Sequence, residues 1–169
     1  MLTTAMAIGL LLSNSANAGE REYFQSVQGK WSGAGTIVAG PYKNTRFTCN
    51  FDGNAPKGTG MELTGKCRVG LFSQPMSAKI SKKGSTYRGQ FLDGASGKGL
   101  DIVSGRLRGQ KLLLGIKRKQ LNGTMVASLN GPDKLNITIA VRVNRKMIPF
   151  IGVTLKRTGS VKRASLASQ

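Results

Sequence analysis

The chain of 169 residues contains no histidine, only seven acidic residues and only two cysteines. Each shortage removes a class of chemistry. Without histidine, the commonest general base and the commonest metal ligand are both missing. The seven carboxylates are scattered, mostly in loops or among basic neighbours, so no paired acid–base site can be argued. Cys49 and Cys67 lack C-x-x-C spacing, and their placement suits a bridge better than a nucleophile. Ser77-Ala78-Lys79 and Ser81-Lys82 have Ser–Lys spacing, but adjacent pairs of this kind are common by chance and nothing sets a base against a nucleophile. The glycine-rich pieces Gly58-Thr59-Gly60 and Gly94-Ala95-Ser96-Gly97-Lys98-Gly99 precede no helical pattern, so neither is a phosphate loop. The chain is expected to be non-enzymatic, with no cofactor and no metal site.

Long hydrophobic runs are also missing. The one apolar stretch, within the first twelve residues, is too short to anchor in a bilayer. It leads into Ala16-Asn17-Ala18, an A-x-A cleavage signal, so residues 1–18 read as a secretory signal peptide outside the fold. No Lys or Arg precedes the run, which leaves the true start codon open. The expected location is periplasmic or secreted. In an oxidising compartment two cysteines favour one disulfide, Cys49–Cys67.

Charge of one sign is abundant. Lys and Arg number 26 against seven acids, for a formal net charge of +19. A field of this size favours polyanions outside the cytosol, such as anionic lipid headgroups, lipopolysaccharide or acidic polysaccharide, in a salt-sensitive way. It also serves solubility beside an anionic envelope.

Period-two alternation runs through the mature chain. In Gly29–Ile37, Trp31, Gly33, Gly35 and Ile37 share a face, and one large aromatic followed by two glycines suggests a plug at a barrel floor. Phe47, Cys49 and Phe51 share the next face, then Met61, Leu63, Cys67 and Val69, then Phe72, Met76, Ala78 and Ile80 in a short strand. The cysteines thus sit on apolar faces of two strands joined across Asp52–Gly58, and a bridge there contributes about 3 kcal/mol in chain-entropy terms. Tyr87 and Phe91 pair on a further strand, and a parity change at Ile102-Val103 predicts a bulge. Four clear strands follow, carrying Leu112, Leu114 and Ile116; Met125, Ala127 and Leu129; Leu135 to Val143; and Met147, Ile151, Val153 and Leu155. Ahead of all of them, Tyr23, Phe24 and Val27 lie at helical spacing and predict a short helix that caps one barrel end.

The pattern predicts an all-β fold: a single antiparallel up-and-down barrel of about 8–10 strands over residues 19–157, with a short N-terminal helix. Residues 158–169 are expected to form a disordered basic tail. Lys30, Arg46, Lys66, Arg68, Arg88, Lys111, Lys117, Arg142 and Lys156 fall opposite the apolar faces and are the candidate anion-binding residues on the outer wall. An apolar ligand would need an unfilled interior, and a barrel of this size either fills itself or holds one small ligand. Glycines at 33, 35, 65, 89 and 105 leave space or serve strand curvature, the second being favoured. Nucleic acid is disfavoured as a partner, because the aromatic residues that would stack on bases take inward parity.

Gly29-Lys30-Trp31 after a helical lead-in resembles the G-x-W opening of the calycins, the superfamily that includes lipocalins. The fuller pattern, Gly29-x-Trp31-x-Gly33-x-Gly35 with Cys49 and Cys67, is similar to small exported β-barrel proteins of alphaproteobacteria. That resemblance implies Trp31 as a floor residue packed under a basic side chain from a late strand. The functional expectation is an exported barrel that binds an anionic envelope lipid or polysaccharide through its basic exterior, with peripheral membrane contact only. The alternatives are a lipocalin-type carrier of a small apolar ligand and a structural envelope protein.

Overall fold

A computed structural model describes residues 15–56, 59–92 and 99–159. Most of the expected signal segment, the loop around Gly94–Lys98 and nearly all of the expected tail lie outside the described residues. Helix α1 (Ser15–Val27) leads into β1 (Gly29–Ile37), β2 (Arg46–Asn54), β3 (Gly60–Val69), β4 (Phe72–Lys83) and β5 (Thr86–Leu92). The second half is β6 (Leu100–Arg108), β7 (Lys111–Arg118), β8 (Leu121–Leu129), β9 (Lys134–Val143) and β10 (Lys146–Arg157). Each strand pairs antiparallel with the next, and β10 returns to β1, so the sheet closes as a ten-stranded, up-and-down barrel. Closure removes the unpaired edges that an open sheet of this size would expose.

The alternation sorts the side chains as the sequence predicts. Leu112, Leu114, Ile116, Leu135 and Leu155 are buried, while Lys111, Lys117, Lys134 and Lys156 are exposed. Cys49 lies directly opposite Cys67 in the β2–β3 register, and the two form a disulfide. The inward glycines serve closure. A Cβ on Gly89 would sit 1.8 Å from the Lys79 carbonyl oxygen, and one on Gly65 would sit 2.0 Å from that of Asn50, so only glycine lets the strands curl this tightly. Space beside Gly35 is taken up by the Phe47 ring, which a Cβ there would meet at 2.3 Å.

Three local features differ from, or add to, the alternation. β2 continues through Asp52-Gly53-Asn54, residues with strong turn propensity, because β1 and β3 both offer backbone partners there. β4 runs for twelve residues and is not short. The ladder slips at Val103 in β6, as the parity change predicts, and again at Phe150 in β10, where Ile148-Pro149-Phe150-Ile151 has no polar residue to mark the phase. This second bulge puts Met147 opposite Arg142, on the outer face, and corrects its assignment to the interior.

Candidate functional site

The up-and-down topology gives the barrel two unlike ends. At the first, α1 lies across the opening. Tyr23, Phe24 and Val27, one helical face, are fully buried. The Phe24 ring centre is 5.4 Å from those of both Tyr23 and Tyr87, and the Tyr23 hydroxyl donates to the Ala127 carbonyl oxygen at 2.9 Å. Burial raises the Tyr23 hydroxyl well above its usual pKa, and a backbone hydrogen bond from Leu112 opposes that rise only in part, so Tyr23 stays a neutral donor. Trp31 forms the floor. Its Nε1 donates to the Val27 carbonyl oxygen at 2.8 Å, and the Arg157 guanidinium, from the end of β10, lies 4.3 Å above its ring. Arg157 also donates to the carbonyl oxygens of Ser26 (2.7 Å), Gln28 and Pro132 (2.9 Å), so one side chain ties the helix exit to two strand ends.

Glu20 completes this seal. Its carboxylate accepts from the Tyr87 hydroxyl and from Lys82 Nζ, each at 2.5 Å, and only 8% of the residue is exposed. Burial alone would raise its pKa, but the hydrogen bonds from Lys82 and Tyr87, with the Lys82 charge, bring it below the ordinary value. All the α1 residues in these contacts follow Ala18, so processing at the expected cleavage site would keep the seal.

Above the seal the interior is not filled. A chamber of about 460 Å³ runs from Phe51, Leu63, Ala78 and Ala127 up to Val69, Phe72, Val141 and Phe150 at the opposite end. Its wall is apolar: aliphatic side chains, phenylalanines, methionines and the Cys49–Cys67 disulfide. Gln74 and Arg118 are the polar side chains that line it, both in the open half. Arg118 ends β7 and donates from Nε to the Gly99 carbonyl oxygen at 2.7 Å, which orients its guanidinium at the mouth. Sequence reasoning passes over both residues, yet the signal is present. Arg118 keeps the phase of Leu112, Leu114 and Ile116, and Gln74 keeps that of Met76, Ala78 and Ile80.

The nine candidate anion-binding residues, Lys30, Arg46, Lys66, Arg68, Arg88, Lys111, Lys117, Arg142 and Lys156, are all exposed on the outer wall. They spread around the barrel and along its height and are not gathered into one site. Lys79 and Lys82, from the Ser–Lys pairs, form ion pairs with Glu62 (2.6 Å) and Glu20 (2.5 Å).

No family model and no curated protein matches the chain. Solved structures do. The chain is similar to Rv2717c from M. tuberculosis, at 12% identity over 83% of this chain and 98% of that one, with a TM-score of 0.56. It is also similar to EF1p2_mFAP2b bound to DFHBI, at 8% identity over 82% and 99%, TM-score 0.51. A DUF3598-family protein of unknown function from Nostoc punctiforme PCC 73102 aligns at 14% identity over 80% of this chain and 49% of that one, TM-score 0.50. At such identities the likeness establishes a shared barrel fold.

Proposed function

We propose that the protein is a non-enzymatic binding barrel, exported to the periplasm or beyond, that holds one elongated apolar or amphiphilic molecule. The single observation that carries this reading is the apolar chamber of about 460 Å³ above a sealed floor. Its size falls within the range of small-molecule sites, about 300–1,000 Å³. A wall with so few polar groups cannot compensate a buried charge, so the ligand's charged or polar head belongs at the mouth. There Arg118 favours an anionic head, a carboxylate or phosphate, and Gln74 adds a neutral hydrogen-bonding group. Fold neighbour EF1p2_mFAP2b was solved with a small molecule, DFHBI, bound, which accords with this reading. The disulfide supports the exported location.

Gentle purification from the native source followed by native mass spectrometry tests the proposal. A co-purifying amphiphile released on unfolding is the expected result, and Arg118→Gln should weaken anionic ligands more than their neutral-headed analogues. Protein isolated without any such ligand, and unable to take up lipid from a total extract, would count against it.

A second reading assigns the exterior to an anionic envelope lipid or polysaccharide. Its support is the +19 net charge and the exposure of the nine outer-wall cations. Retention on lipopolysaccharide and acidic polysaccharide that falls steeply with salt is the expected result; no retention at low salt would sink it.

A further inference from the structure

The open end is unlike any other part of the surface. Apart from Val103, every exposed large apolar side chain among the described residues lies there. Leu71 is 99% exposed, Phe72 84% and Tyr42 69%, and Leu121, Met147 and Ile148 join them. They stand on hairpin connections around the mouth, at β1–β2, β3–β4, β7–β8 and β9–β10. The tips are tight. Asn144 and Arg145 both have positive φ, so β9 turns into β10 within two residues and holds its apolar flanks outward.

Cations share these tips and their flanks. Lys43, Arg46, Arg68, Lys119, Arg145 and Lys146 are all exposed at the same end. Carboxylates are concentrated elsewhere. Glu20, Glu22, Asp52, Glu62 and Asp133 lie toward α1, and among the described residues Asp101 is the carboxylate of the open end. The molecule is therefore electrically lopsided as well as basic.

We propose that this rim docks the barrel, mouth down, on the surface of an anionic lipid bilayer. The match is chemical and geometric. A bilayer offers anionic headgroups to the Lys and Arg side chains and an apolar layer just beneath to Leu71, Phe72, Tyr42 and Met147, which is the pairing an interfacial anchor needs. A ring of apolar tips around a hole suits a plane better than a shaped protein partner, which would have to plug the chamber. Contact is peripheral, because Lys66, Lys79 and Arg88 on the outer wall would each be costly at a bilayer midplane. Docking in this pose would open the chamber directly onto the lipid layer, but it does not depend on the chamber being occupied.

Vesicle co-sedimentation tests the pose with the full mature chain. Wild type should bind phosphatidylcholine vesicles containing phosphatidylglycerol at about 0.1 M salt and leave vesicles of phosphatidylcholine alone largely unbound. Arg145→Glu with Lys146→Glu should lower the partition coefficient by about 100-fold or more. Lys111→Glu with Lys134→Glu makes the same change in net charge at the α1 end and should cost under about tenfold, since those sites lie at the far ends of β7 and β9, beyond the Debye length of about 10 Å at about 0.1 M salt. A Leu71→Trp variant should gain an emission component, absent from wild type, that brominated lipid quenches. Equal losses for the two charge pairs would overturn the pose, as would failure of brominated lipid to quench the introduced tryptophan or no binding to anionic vesicles. Self-association in sedimentation velocity that disappears on Phe72→Asp would also overturn it, by making the rim an interface between copies.

Discussion

At the α1 end Tyr23, Phe24 and Trp31 are buried and their polar atoms are hydrogen-bonded, whereas at the open end Tyr42 and Phe72 face solvent. The same strands run to both ends, and apart from Gln74 and Arg118 at the open end their inward residues are mostly apolar throughout. The difference is the helix. Where α1 covers the barrel, inward side chains become a core; where nothing covers it, the same alternation leaves a lined chamber. A packed core is thereby placed at one end of the molecule and the chamber proposed for binding toward the other, and substitutions at the two ends should have effects of different kinds.

The largest expected effect is on the seal. Phe24→Ala should cost about 3–5 kcal/mol in chemical denaturation, while Phe72→Ala at the rim should stay within about 0.5 kcal/mol. Similar losses at both ends would erase the distinction. Next comes the disulfide in the wall between them. Cys49→Ala with Cys67→Ala should lower stability by about 3 kcal/mol; a negligible change would mean that strand pairing alone holds β2 to β3.

A smaller effect sharpens the role of Glu20. Its pKa in the folded chain lies below the ordinary value, so its contribution to stability is present above the unfolded-state pKa of about 4.3 and is lost as pH falls through the folded value. Between about pH 5 and pH 3, wild type should lose melting temperature faster than Glu20→Gln. Parallel curves would show that the contacts with Lys82 and Tyr87 do not couple the seal to pH.

Much of the fold is legible in the sequence because period two leaves a record. The phase of Phe47-Cys49-Phe51 against Met61-Leu63-Cys67 places the cysteines face to face, and the broken phase at Ile102-Val103 marks a bulge that the ladder shows. The Phe150 bulge leaves no such mark, since an all-apolar run reads the same in either phase. The seal is legible as a helix but not as a network: Lys82 and Tyr87 lie 62 and 67 residues from Glu20, and only closure brings them together. The chamber cannot be read at all. Apolar inward residues have one pattern whether they fill a space or line it, and strand curvature, set by backbone approaches such as that at Gly89, decides which. For the same reason Phe72, in phase with the interior, reads as core although it stands above the wall at the rim.

Titration of saturated fatty acids of increasing chain length into the wild-type protein and into Ala127→Phe tests the central claim most directly. Ala127 lines the deep chamber just above the seal, so the larger ring occupies the space a ligand would use. The account predicts saturable one-to-one binding to wild type, with affinity rising about fourfold per methylene until the chamber is full. It further predicts that in Ala127→Phe binding weakens and the rise in affinity stops at a shorter chain. Absence of saturable binding, or undiminished binding by a folded Ala127→Phe variant, would contradict it.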